Sequence, residues 1–385
     1  MKTAICQLLL ALLPIVLLAQ SPSLTFVDVS SLDIGRSALT SASDGENIYL
    51  ANGFTTESSF SDQILRYNIA SDEWSVINTT RNGKRFASLA LIDNKLYVFN
   101  GRNETGEIHT ELEIIDLSDG SISSGTQPPV PTKAGGVADW EGKLYSFGGQ
   151  IDQLLYSNKL TVFDPATNTW TELADMPVSL ETKGKVINGV LYVFGGFNGS
   201  VSNRIDKYDI ATDTWTFVGS MPTGISAQAV ATEGNRIWLV GDFTNQAFLA
   251  YFDVNDESFH LVTSNLIARR HAAAEVIDGS LYAIGGNTNS NISSAIDNVQ
   301  VAEVVTSTEN LLVDAPLALY PNPSSDLVQF SHSVEELRIY DINGRLVQTN
   351  PAPLYQLDIS HLPSGQYFLI GRSNDKRLGG KLLKQ

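Results

Sequence analysis

Only one cysteine occurs in the 385 residues, and it is Cys6, ahead of an apolar run from Leu8 to Ala19 that only Pro14 interrupts. Lys2 before that run and Gln20-Ser21-Pro22-Ser23 after it complete the pattern of a cleaved secretory signal over residues 1–19. Cys6 stands at the beginning of the run and not at its end, so it is not the lipidated first residue of a lipoprotein, and cleavage removes it. The mature chain then lacks any thiol, which excludes disulfides, thiolate metal sites and a cysteine nucleophile. No stretch is long and apolar enough to be a membrane helix, so no membrane span is expected.

Histidine and basic charge are also scarce. His109, His260, His271, His332 and His361 show no metal-ligand spacing, so no metal and no cofactor are expected. Against 42 Asp and Glu stand 25 Lys and Arg, a net charge of −17. The acidity is uneven: residues 20–316 carry a net −19 and residues 317–385 a net +1. An acidic body excludes nucleic acid and anionic membrane surfaces as partners, since both need a basic face. With 43% hydrophobic residues the chain is globular, not disordered.

What the sequence does have is a repeat. Asn188-Gly-Val-Leu-Tyr-Val-Phe-Gly-Gly196 recurs in near copies whose central aromatics are Tyr49, Tyr97, Tyr145, Tyr192, Trp238 and Tyr282, spaced 48, 48, 47, 46 and 44 residues apart. Each copy is preceded by a small or β-branched run, such as Ala272-Ala-Ala-Glu-Val-Ile277. In five of the six it is followed by an apolar residue, Asp or Asn, and a large apolar residue six positions on, as in Tyr208-Asp209 with Trp215. Turn formers such as Ile210-Ala-Thr-Asp-Thr214 lie between, so each unit holds four short strands, the content of one propeller blade.

The double glycine, the Tyr three residues before it and the Trp after an Asp turn resemble kelch repeats across residues 24–304. Asn-Gly replaces the glycine pair in repeats one and two, Gly-Asp does so in repeat five, and Ile122 and Phe259 stand where others have Trp. The sixth repeat stops after one strand candidate, Asn298 to Val305, whereas Leu24 to Val29 precedes the first repeat without a blade. The expectation is that this N-terminal strand completes the sixth blade, with Phe26 in the Trp position, so that no edge is left open.

Beyond a linker over 305–316, residues 317–385 change character. Tyr320-Pro-Asn-Pro323, Ile339-Tyr-Asp-x-x-Gly-Arg345, Leu362-Pro-x-Gly-x-Tyr-Phe368 and the basic end Lys381-Leu-Leu-Lys-Gln385 occur in that order. Together they resemble the C-terminal sorting domain of type IX secretion substrates. The fold class read from the sequence is all-β: a six-bladed kelch-type propeller over 20–304, followed by a small Ig-like β-sandwich sorting domain. The resemblance implies passage through the periplasm, contact with the type IX secretion machinery, and release or retention at the outer cell surface; the protein is expected to be a monomer.

Function is less legible. Kelch-type copper radical oxidases need a Tyr–Cys cofactor that a thiol-free chain cannot build. Ten of the 17 basic residues in the body lie just before a blade's first strand or just after its glycines. Arg36, Lys84, Arg85, Lys133, Arg269 and Arg270 all stand 12 or 13 positions before a central aromatic, while Lys183 lies three positions later in its blade. After the glycines come Arg102, Gln150, Asn198 and Asn287, with Phe54, Phe197 and Phe243. One reading is a solvated rim that belongs to the repeat itself. The other is an anion site at the propeller mouth, since Arg forks suit carboxylates, with Arg36, Arg85, Arg102, Lys133, Gln150, Asn198, Arg270 and Asn287 as ligand-binding residues. That site would bind a protein or an acidic glycan. The alternative is a carbohydrate-active enzyme such as a sialic-acid isomerase (mutarotase) or lyase, for which Glu104, Glu107 and Glu181 are the nearest carboxylates.

Overall fold

The computed structural model describes residues 22–289, 294–304, 315–341, 346–373 and 376–385; the leader over 1–19, most of the 305–316 linker and residues 342–345 of the Ile339–Arg345 motif lie outside them. Among the described residues there is no α-helix. Six four-stranded antiparallel sheets follow one another at the repeat period. Blades 1 to 5 occupy 40–79, 88–125, 136–172, 181–220 and 229–261. Within each, every strand pairs with its sequence neighbour, because a short turn can join only antiparallel partners.

Blade 6 has three strands of its own, Ala273–Ile277, Ser280–Ile284 and Val299–Glu303, and its fourth is Val27–Val29. Val27 pairs with Val301 and Val29 with Val299. Continuing that register by one residue sets Phe26 opposite Ala302, as Trp74 stands opposite Tyr67 and Trp215 opposite Tyr208. Phe26 is buried among blade 5 and blade 6 residues, including Trp238, Leu249 and Leu281. The N-terminal strand therefore closes the ring where the sequence left an orphan.

A repeated strap binds neighbouring blades. The Trp170 indole donates to the Thr126 carbonyl of blade 2 at 2.8 Å, and Trp215 donates to the Ala174 carbonyl just after blade 3 at 2.8 Å. Trp74 of blade 1 makes the same bond, at 2.9 Å, to the Ser30 carbonyl just after the closing strand. The amides of Thr126, Ala174 and Ser30 donate in return to Asn168, Asp213 and Asp72. Ser30 thus makes the contacts that a covalently continuous blade would make. The central aromatics Tyr49, Tyr97, Tyr145, Tyr192, Trp238 and Tyr282 are all buried, as core residues and not a binding stripe.

Residues 315–385 form their own β unit. Leu327–Asp341, a 15-residue strand with register shifts that bend it, takes part in two sheet regions and pairs with four other strands. Val328, Phe330, Val334, Leu337 and Ile339 from that strand pack with Leu357, Tyr367, Leu369 and Leu382 into one core.

Candidate functional site: the propeller mouth

The six innermost strands stand side by side around a central channel of about 230 Å³. At one end of it each blade turns sharply after its second strand. The glycine pair makes that turn possible: Gly101 has φ +86°, and a Cβ there would lie 2.8 Å from the Arg85 carbonyl oxygen. The first position of the pair is left-handed too, with Asn52 at φ 60° and Asn100 at φ 59°. Asn tolerates that region better than other residues with a Cβ, which is why Asn-Gly serves in blades 1 and 2. In blade 5 Asp242 replaces the second glycine and accepts the amides of Ser226, Thr244 and Asn245 at 2.8–2.9 Å, holding the loop by side-chain bonds instead.

This turn brings the two sets of residues singled out in the sequence together. Arg85 and Arg102 exchange backbone hydrogen bonds of 3.0 Å, and Lys133 with Gln150 and Arg270 with Asn287 do the same at 2.9–3.1 Å. Just inside them runs a ring of left-handed residues, Ala38, Phe86, Ala134, Ala227 and His271, with φ between 52° and 60°. Their backbones are linked from blade to blade: Phe86 donates to Ala38, Ala134 to Phe86, Ala38 to His271 and His271 to Ala227. Such strain, about 1–3 kcal/mol per residue, persists only where surroundings enforce it, and it gathers at functional sites.

The mouth is lined by cations over aromatic faces. The Arg85 guanidinium lies 5.3 Å from the Phe60 ring centroid and 5.2 Å from that of Phe86. Lys133 Nζ is 5.5 Å from the same Phe86 ring, and Arg270 is 4.0 Å from that of Phe243. His271 meets Phe86 edge to face at 5.1 Å, so the two rings stand together at the throat. Neither Arg85 nor Arg102 has a side-chain hydrogen bond or a carboxylate partner among the described residues, and Nε of each is buried and unbonded. Burial, and then the charge of Arg102, bring Arg85 down to about 10. Burial and then Arg270 hold His271 at about 4, so it is neutral at physiological pH. Burial likewise lowers Lys183, which lines the channel and donates to the Gly135 carbonyl at 2.8 Å, to about 8.

The other residues named from the sequence sit as follows. Arg36 is buried at 3% exposure and donates to Ser61 and Gln63 within blade 1, so the structure places it behind the mouth and not in it. Its counterparts in sequence, Lys84 and Arg269, are fully buried too: Lys84 meets Glu113 at 2.7 Å, and Arg269 donates to Gln300 and to the carbonyls of Ala283 and Gly285. The cause is strand alternation, since positions 13 and 12 residues before the aromatic face opposite ways. Gln150 and Asn287 are buried and donate to Gln153 and Asn289, shaping their own loops. Asn198 is exposed on the blade 4 rim, donating to the Ser179 carbonyl. Of the three carboxylates, Glu181 pairs with Lys133 at 3.1 Å. Glu104 accepts the Phe60 amide, and Glu107 binds within its own loop.

Six blades, an inter-blade Trp strap and a glycine-edged mouth define a kelch-type propeller. Residues 38–242, more than half of the chain, match the family described as the KLHDC2/KLHL20/DRC7 Kelch-repeats domain, and the chain belongs to the kelch-repeat family. Residues 318–385 match the secretion system C-terminal sorting domain. Relatives include Kelch repeat and BTB domain-containing protein 12 of Danio rerio, 29% identical over 35% of this chain and 23% of that protein. Kelch domain-containing protein 3 of Mus musculus is 25% identical over 40% of this chain and 45% of its own length. The chain thus spans less than half the length of the curated relatives it matches. The solved structure of YjhT superposes with a TM-score of 0.64 at 14% identity, covering 72% of this chain and 98% of that one, a likeness of fold. The sorting domain implies export by type IX secretion to the cell surface or outside, so the chain is a secreted kelch protein.

Proposed function

We propose that the mature protein, released or held at the outer surface after loss of its leader, is a binding module that takes an acidic protein or glycan ligand at the propeller mouth. The observation that carries this reading is the pair Arg85 and Arg102: two adjacent cations, partly withdrawn from water, without a carboxylate partner among the described residues, in a chain of net charge −17. Each raises the local potential where the other acts, and an incoming carboxylate can accept from both forks. Arg270 and Lys133 flank the pair; Lys133 is engaged by Glu181, and Arg270 is 5% exposed and donates to the Asn289 carbonyl at 2.6 Å, so both contribute less. The aromatic faces under the cations keep them in place without neutralising them.

The test is a thermal-shift screen on the full chain. Acidic ligands are expected to stabilise it, by about 2.7 kcal/mol at a hundred times their dissociation constant, and neutral ones not at all. Arg85→Gln/Arg102→Gln keeps the fold and loses that response. Should acidic and neutral ligands behave alike, only a solvated rim remains.

A further inference from the structure

One sector of the mouth is apolar. The blade 3 loop continues from Gln150 into the hairpin Gln150–Asp152 and Leu155–Tyr156, whose Ile151, Leu154 and Leu155 are 36%, 89% and 57% exposed. Tyr156 meets Phe197 of blade 4 edge to face at 6.1 Å, and Phe197 pairs with Val201, itself 44% exposed. These six residues form one lip across two blades. It joins the cations directly, because Gln150 pairs with Lys133, and both Lys133 and Arg85 lie against the Phe86 ring, at 5.5 and 5.2 Å from its centroid.

We infer that the ligand of this mouth is a protein segment that presents a bulky aliphatic or aromatic side chain to the 151–156 and 197–201 lip while its carboxylate reaches Arg85 and Arg102. This rests on the acidic-ligand reading above and narrows it. A glycan offers hydroxyls and thin apolar ring faces, which stack on aromatic planes; Tyr156 and Phe197 have such planes but turn them on each other, and the most exposed lip residues, Leu154 and Leu155, have neither a plane nor a polar side-chain atom to meet a hydroxyl. Covering them is favourable only with apolar surface. The juxtaposition of a desolvated cation pair with an aliphatic edge matches the anatomy of a protein interface, an apolar contact beside charge-assisted bonds. Charge complementarity sets the other end, since Arg85 and Arg102 form a cation pair without a carboxylate partner among the described residues in a chain of net charge −17.

The experiment is selection of a random peptide library displayed on phage against the full chain, followed by affinity measurement on the selected synthetic peptides. Selected peptides are expected to combine Asp or Glu with Leu, Ile or Phe, and to lose at least tenfold in affinity against Leu154→Ser/Leu155→Ser and against Arg85→Gln/Arg102→Gln separately. Leu154 and Leu155 are exposed, and Gln keeps a polar group at each half-buried arginine; circular dichroism and an unchanged melting temperature verify that both variants keep the fold. The inference is overturned if no peptide is selected or if the lip variant binds the selected peptides as tightly as the parent. Sialyllactose or oligogalacturonate binding that needs the arginines but ignores the lip also overturns it, and leaves the acidic-ligand reading standing. A concentration-dependent dimer, seen by sedimentation and abolished by Leu154→Ser/Leu155→Ser, would assign the lip to a second copy and overturn it as well. Loss of lip dependence and arginine dependence together sinks both readings.

Discussion

Lys84→Met is expected to damage stability and leave ligand binding alone. Lys84 and Glu113 are 0% and 1% exposed at their side chains, 2.7 Å apart, and Glu113 also accepts the Arg81 amide at 2.8 Å. Removing the ammonium leaves a carboxylate with one amide partner in a region that water does not reach, a loss of about 3–5 kcal/mol. With a urea m-value of about 3 kcal/mol/M for a chain of this size, the midpoint falls by about 1–1.7 M. The double variant Lys84→Met/Glu113→Gln restores most of that loss, because the amide oxygen still accepts from Arg81 and no charge is stranded. Urea unfolding followed by the five tryptophans reads both effects. A single variant within about 1 kcal/mol of the parent, or a double variant as weak as the single, refutes the stranded-charge argument. If Lys84→Met removed the acidic-ligand response while the fold held, the division between buried and mouth cations would itself be wrong.

Further outcomes follow from the same contacts. Phe26→Ala should cost about 3–5 kcal/mol by opening a cavity in the closing blade, and deletion of residues 22–30 should cost more, both read by urea unfolding. His271 has a folded pKa of about 4, so the unfolded chain takes up this proton first as pH falls; up to about 3 kcal/mol is lost between pH 6.5 and 4, and His271→Asn, which tolerates the φ of 52°, should flatten that part of the stability profile. Gly101→Ala forces a Cβ to 2.8 Å from the Arg85 carbonyl at φ +86°; it should lose about 1–3 kcal/mol and weaken acidic-ligand binding by shifting Arg85, measured by calorimetry. Removal of residues 317–385 should leave a propeller with unchanged melting temperature that stays in the periplasm, and its appearance in the medium would contradict the sorting role.

The architecture was legible because its signals repeat. Six aromatics at a period of 44 to 48 residues, each with a turn pair behind it, admit few arrangements other than blades, and the orphan strand at one end matched the missing strand at the other. Chemistry at the mouth was legible in part. Residue type marked Arg85, Arg102, Lys133 and Arg270, but the 151–156 hairpin was passed over, since Ile, Leu and Tyr in a loop carry no motif and only their exposure gives them meaning. The ring of left-handed residues at Ala38, Phe86, Ala134, Ala227 and His271 was invisible for a different reason: none is Gly or Asn, so tertiary hydrogen bonds, not local preference, hold them there.

The confusion of Arg36, Lys84 and Arg269 with the mouth cations shows how fine the limit is. They stand one residue ahead of the positions held by Arg85, Lys133 and Arg270, and a count of 12 or 13 merged the two sets. In extended backbone that one residue turns a side chain to the other face, into the blade or toward the mouth, where Arg270 is still only 5% exposed. A second signal was present. Glu113 and Gln300 occupy the same place in the third strands of blades 2 and 6, paired with Val98 and Ala283, amid otherwise apolar neighbours in Leu112-Glu-Ile-Ile115 and Val299-Gln-Val-Ala302. A lone polar residue in a buried strand needs a partner. Lys84 and Arg269 supply it in blades 2 and 6, whereas blade 4, with buried Asp206 at the corresponding site opposite Val193, matches it with Arg204 of the same strand, and blade 3, with Thr161 opposite Ser146, has Thr132 and no cation at the inward position. Reading the third strand against the lead-in segment of its own blade would have set Lys84 and Arg269 apart from the mouth cations, because a charge that goes inward must be matched there; Arg36 would still have escaped, since blade 1 has Leu65 at that site and Arg36 finds its acceptors in Ser61 and Gln63 instead.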